Sequence, residues 1–138
     1  MGTCPTTAPR EYVVINLDRN ATLAERVSVA GTSAARRKGL LGIRALTNGA
    51  GLWISPCEAI HTFGMRMPID AIFLDRHFQV RKLRTHLPPS RISLCITAAS
   101  VLELEAGTAL RTGTTVGDRL RFERCVGQEI LGLQGGGG

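Results

Sequence analysis

The sequence has few aromatic residues: four Phe, one Tyr and one Trp in 138 residues. Its core must therefore be aliphatic, and the ring platforms on which single-stranded nucleic acids stack are scarce. Lysine is almost missing too, since Lys38 and Lys82 are the only lysines among 17 basic residues. No CxxC pair occurs, which argues against a zinc ribbon or a thioredoxin-type redox site. No apolar run approaches the ~20 residues of a membrane helix. Met1 to Arg10 is polar, carries Pro5 and Pro9, and lacks the apolar stretch of a signal peptide. That leaves the compartment open. No GxSxG nucleophile elbow is present, and no helix-turn-helix, zinc finger or RRM signature.

What is present is ordinary globular composition, 43% apolar and 20% charged, with a net charge of +6. The length suits one domain. The expected organisation is a flexible N-terminal segment over 1–10, a single β-rich domain over 11–126, and a flexible Gly-rich tail over 127–138 that ends in Gly135 to Gly138. The four cysteines, Cys4, Cys57, Cys95 and Cys125, allow three pairings. Cys95 and Cys125 lie in strand-like contexts where buried free thiols are common. One disulfide is the alternative in an oxidising compartment.

Short apolar runs separated by turn residues predict strands. These fall at Tyr12–Leu17, Leu23–Ala30, Gly51–Ile54, Ser100–Glu105 and Arg119–Val126. Pro68–Asp75 and Phe78–Leu87 read as a hairpin turned at Arg76-His77. Thr32 or Ser33 caps a short helix over Ala34–Leu41, and Thr47-Asn48-Gly49 is a turn. Thr108–Thr112 reads as one helical turn closed by Gly113. The strands are too close together for repeated βαβ crossovers. The expected fold is mainly β: one antiparallel β-sandwich or partly open barrel with one or two short helices.

Residues 53–75 form the least generic stretch, with Cys57, His61, Met65, Met67, Asp70 and Asp75 in an apolar run. Here His61-Thr62-Phe63, Met65, Pro68-Ile69-Asp70 and Ile72-Phe73-Leu74-Asp75 resemble the hallmark of the uncharacterised family called domain of unknown function 192. Upstream, Arg37-Lys38-Gly39-Leu40-Leu41 is similar to that family's Arg-x-Gly-Leu-Met element, with Leu41 in place of Met. Downstream, Val101 to Leu104, Ala106-Gly107 and Val116-Gly117-Asp118 resemble its later elements. The resemblance spans roughly residues 24 to 124. It implies a compact β-rich domain of sandwich type and no established activity.

Alternation places Asp70 on one strand face with Ile72 and Leu74. If that face is the core, the carboxylate needs hydrogen bonds or a proton. It either accepts backbone N–H groups and pins a loop, with the His61–Met65 segment as one candidate, or lines a small pocket. His61 is either a hydrogen-bonded structural residue or, oriented by Asp70, a general base. Ser55, Cys57 and Thr62 are the nearby nucleophiles, none in a recognised motif. Cys57, His61 and Met65 recur at i, i+4, i+8 as a soft set suited to copper, but Pro56 and Gly64 break the regularity, so no metal and no cofactor is expected. Glu103 shares a strand phase with Val101 and Glu105, and is expected to face solvent or to pair with an Arg. Pairing with Asp70 as in glycoside hydrolysis is the remote alternative.

Two stretches, Arg26 to Cys57 and Arg76 to Leu102, carry bases and no acid. Lys82, Arg84 and His86 share one strand phase as a basic face. The bland expectation is a solvated edge that discourages aggregation, with nucleic acid not an expected partner. The leading functional expectation is a non-enzymatic module, monomeric, that binds a small molecule or a protein segment through His61, Phe63, Met65, Asp70 and Glu103. The rival is a small hydrolase-like enzyme with a His61/Asp70 acid–base pair.

Overall fold

The computed structural model describes residues 11–31, 46 and 49–125. Nine strands and one helix appear among them: β1 (Glu11–Asn16), β2 (Ala21–Ala30), β3 (Ala50–Ile54), β4 (Ala59–His61), β5 (Ile69–Leu74), β6 (Val80–Leu87), β7 (Ile92–Leu94), β8 (Ser100–Glu105), α1 (Thr108–Thr112) and β9 (Leu120–Arg124). Seven strands form a sheet in the order β6-β5-β8-β3-β2-β1-β9, and β4 pairs with β7 as a separate ribbon. Every pair is antiparallel except β2 with β3. A parallel pair needs a crossover of about a dozen residues or more, which the chain between Ala30 and Ala50 supplies.

The sheet curls into a half-barrel. Its two edges meet where Gln79 bridges Arg119. The Val80 N–H donates to the Asp118 carbonyl and the Gly117 N–H to the Val80 carbonyl, each at 2.8 Å. This bears out the mainly β, partly open barrel. The strand expected from Phe78 starts instead at Val80, because Phe78 completes the turn. The Asp75 Oδ1 accepts the N–H groups of His77 at 2.8 Å and Gln79 at 3.0 Å. Phe78 then takes a left-handed φ of 63°, unusual for a bulky residue. Its ring lies 5.1 Å from that of Phe122 and 5.8 Å from that of Trp53, and its carbonyl accepts the Leu120 N–H at 2.9 Å. Ring packing and barrel closure hold a conformation that the residue type disfavours.

Two apolar layers result. Val14, Val27, Ile72, Leu74, Leu102 and Leu104 fill the concave inner face. Ile69, Ala71, Phe73 and Val101 on the outer face meet Ile60, Met65, Met67 and Leu87. β5 is therefore buried at all six positions. On the inner face β3 leaves room for its neighbour β8 at Gly51, where a Cβ would sit 2.7 Å from Leu104 Cδ2.

The helix expected over Ala34–Leu41 lies outside the described residues, as do Thr47, Asn48 and Cys4. Cys95 and Cys125 are free thiols, but Cys125 is exposed and Cys95 only half-buried. Each of these two follows the last residue of its strand, where the cover ends, and this corrects the expectation of burial. The ribbon was not foreseen. Among the described residues no helix is long and apolar enough to cross a membrane.

Candidate functional site

The residues read as one site fall on two faces of the sheet. Asp70 is fully buried on the inner face, with Ile72 and Leu74 as alternation requires. Its Oδ1 accepts the His86 N–H at 2.9 Å and its Oδ2 the Ala109 N–H at 2.8 Å. The pinning role is therefore right in kind, but the loop differs. Asp70 does not hold the His61–Met65 segment. It ties a bulge in β6 to the first turn of α1, which has no side-chain cap of its own. The bulge shows in the register, where Ala71 faces Arg84 but Ile69 faces Leu87. The extra residue rotates His86 (φ 50°) out of phase with Lys82 and Arg84. This corrects the expected continuous basic face. Lys82 and Arg84 also turn toward the ribbon rather than into solvent: Lys82 Nζ donates to the Leu94 carbonyl at 2.7 Å, and Arg84 Nη1 lies 3.5 Å from Ser93 Oγ.

His61 is exposed at the end of β4, its ring 5.6 Å from that of Phe63. With both Asp70 oxygens on backbone N–H groups, the hydrogen-bonded His61/Asp70 pair of the enzymatic alternative is not formed. Nor do Cys57, His61 and Met65 share a face. His61 points outward, Met65 is buried beneath the ribbon, and Cys57 Sγ donates to the Ala59 carbonyl at 3.1 Å. Among the described residues no group of three His, Cys, Asp or Glu side chains could hold a metal ion.

The ribbon is anchored by Thr62, whose importance sequence reading missed. Its Oγ1 donates to the Pro88 carbonyl at 2.7 Å and accepts the Arg91 N–H at 2.8 Å. Its backbone exchanges further bonds with Arg91, Ser90 and Met65. In the register Ala59 faces Leu94, Ile60 faces Ser93 and His61 faces Ile92. Ile60 and Ser93 turn inward, so Ala59, His61, Ile92 and Leu94 turn outward. Phe63, Ile92, Leu94 and Ile96 are exposed at 49%, 64%, 51% and 78%. Isolated exposed apolar side chains are common, but a contiguous group marks an interaction surface.

Glu103 departs furthest from expectation. It is only 3% exposed, on the outer face between Ala71 of β5 and Leu52 of β3. The alternation was right, but the face it points to is covered. Its Oε1 is buried with no hydrogen-bond partner, and burial pushes its carboxyl up to about 7. Neither the solvent-facing role nor an ion pair is found among the described residues, and Asp70 projects from the opposite face.

A second polar centre lies at the closed end of the barrel. Buried Asn16 donates through Nδ2 to Thr114 Oγ1 and Asp118 Oδ2, each at 3.0 Å. Arg19 Nε meets Asp118 Oδ2 at 3.0 Å. Burial alone would push the Asp118 carboxyl up, but hydrogen bonds from Asn16, Arg19 and the Thr115 N–H hold it below the usual range.

A curled seven-stranded half-barrel with a separate apolar ribbon over its convex face defines a class of small β domain. The chain belongs to the domain of unknown function 192 family, described as "Uncharacterized ACR", whose family model matches residues 14–122. No curated protein sequence matches it. A crystal structure of a candidate transcription regulator from Sinorhizobium meliloti 1021 has a TM-score of 0.73 at 25% identity, over 83% of this chain and 94% of that one. A protein of unknown function from Novosphingobium aromaticivorans DSM 12444 also has a TM-score of 0.73, at 22% identity, over 87% and 91%.

Proposed function

We infer that this domain is a binding module whose ribbon docks an acidic, apolar-bearing segment of a partner protein. The observation that carries the reading is the outward row of Phe63, Ile92, Leu94 and Ile96 on a layer separate from the main sheet. Charge complementarity selects the partner's chemistry. Lys82 and Arg84 reach the ribbon strand β7, and exposed Arg66 and Arg91 flank the row. Glu58 is the one acid in residues 55–68 and 88–99. Apolar anchors supply affinity, while rim charges set orientation and on-rate.

The test is a nuclear magnetic resonance titration with a synthetic peptide alternating Glu with Leu and Phe. The controls are the same peptide with Lys for Glu, anionic lipid vesicles and duplex DNA. The acidic peptide should shift the amides of residues 59–63 and 91–96, with binding weakened by salt. Ile92→Ser with Leu94→Ser should weaken it at least tenfold, whereas Val116→Ser, a remote exposed apolar change, should not. Equal binding of the Lys peptide, shifts elsewhere, or preferential binding of vesicles or DNA would overturn the reading. The DNA arm matters because the Sinorhizobium meliloti neighbour is described as a candidate transcription regulator.

A further inference from the structure

Between β6 and α1 lies an open cleft of about 200 Å³, lined by His86, Ala109, Leu110, Gly113, Thr114 and Thr115 along with Thr85. Its two walls are held by one side chain: Asp70 Oδ1 binds the His86 N–H of one wall, and Oδ2 the Ala109 N–H of the other. The width of the cleft is thus fixed from beneath. His86 is kept in the left-handed region at φ 50°, a conformation non-glycine residues hold only where their surroundings enforce it, and often at functional sites.

The polar groups of the cleft differ in what they have left to offer. Thr114 Oγ1 accepts from Asn16 Nδ2 at 3.0 Å and shares a hydrogen with Thr112 Oγ1 at 2.8 Å. Thr115 Oγ1 accepts from Arg19 Nη2 at 2.9 Å. No hydrogen bond among the described residues reaches the imidazole of His86, which leaves a ring N–H to offer. The nearby charges are mixed but favour an anion. Arg19 stands beside Thr115 and Arg111 on α1. Asp118 is engaged by Arg19, Asp70 is turned to the backbone, and Glu105, exposed before α1, is the opposing charge. Ala109 and Leu110, the latter 80% exposed at the rim, add apolar wall. An apolar cavity of about 150 Å³ admits a benzene ring, so this one has room for a ring or short chain with one small polar group.

We propose that this cleft binds a small organic carboxylate, with the His86 imidazole donating to the carboxylate and Ala109 and Leu110 covering its apolar body. The site lies apart from the ribbon, and neither proposal depends on the other.

The probe is benzoate, compared with benzylamine and benzyl alcohol, in a titration of the whole chain followed by amide shifts. Benzoate should give saturable shifts at residues 85–86 and 109–115, at least tenfold tighter than benzylamine. His86→Asn, which tolerates a left-handed backbone, should weaken benzoate at least fivefold. Leu110→Glu, at an exposed position that the fold does not need, should abolish saturation by like-charge repulsion. Absence of saturation, shifts confined to the ribbon, equal affinity for benzylamine, or unchanged affinity in both variants would overturn the proposal.

Discussion

Asp70 and Glu103 stand on neighbouring strands of one sheet, and both are buried, yet they face opposite layers. On the inner face, Asp70 has a backbone N–H for each carboxylate oxygen. On the outer face, Glu103 has an oxygen with no partner and a carboxyl pushed up to about 7. Burial by itself therefore says little about a carboxyl. What differs is the supply of donors. The inner face ends at a bulge and a helix start, both of which expose unpaired N–H groups. The outer face around Glu103 is covered mainly by methionine and aliphatic side chains, and no donor reaches its Oε1. The first carboxyl is a structural joint, and the second is a group whose charge the fold resists.

The largest effect should come from breaking the joint. Asp70→Ala strands one buried N–H group, that of Ala109, and one part-buried, that of His86, at up to about 1–3 kcal/mol each, and leaves a small cavity. The expected loss is about 3–5 kcal/mol, a large share of the stability of a domain this size. Urea unfolding followed by circular dichroism measures it. A loss under about 1 kcal/mol would mean that the β6 bulge and α1 find other acceptors, and that the two carboxyls are alike after all.

How much of this contrast could be read beforehand follows from the range of each interaction. Alternation correctly set Asp70 with Ile72 and Leu74, and Glu103 with Val101, because side-chain period is a local property of a strand. The donors to Asp70 come from 16 and 39 residues away, a separation no pattern within the strand encodes. Glu103 was expected in solvent because its cover comes from elsewhere: β4 and β7 are three residues each, too short to show a period and set among Pro56, Gly64, Pro88 and Pro89. His86 misled for a related reason, since a bulge shifts phase without leaving a residue signature. The family hallmark did draw attention to the right stretch. It could not show that its His61 and its Asp70 serve different layers.

Glu103 should give the next effect, visible as a pH dependence. Its folded-state value of about 7 lies above the ordinary 4.5, so the folded form binds the proton more tightly than the unfolded one. Its contribution to stability is fully present below about 4.5 and is lost as pH rises through about 7. The full difference is on the order of 3 kcal/mol. Unfolding free energies at pH 5 and pH 8 should fall with rising pH in the wild type and flatten in Glu103→Gln. Asp118 works in the opposite direction: its depressed value stabilises above the ordinary carboxylate range and is lost in acid, so comparison above pH 5 isolates Glu103. A flat wild-type profile would show that the outer face gives this carboxyl a donor when it ionises.

The smallest effect on stability is expected at His61, and its smallness is informative. The side chain is exposed, no hydrogen bond reaches its ring among the described residues, and its contact is the ring of Phe63, itself half in solvent. Surface changes of this kind usually stay within about 0.5 kcal/mol. His61→Ala should therefore unfold with the wild type in urea while weakening the acidic peptide severalfold through loss of the ring that lies beside Phe63. The paired readout separates the layers. Asp70 would carry the fold with no contact to the ribbon's partner, and His61 would carry contact with no share in the fold. A stability loss above about 1 kcal/mol at His61, with peptide binding unchanged, would reverse that division and make the family's histidine a folding residue.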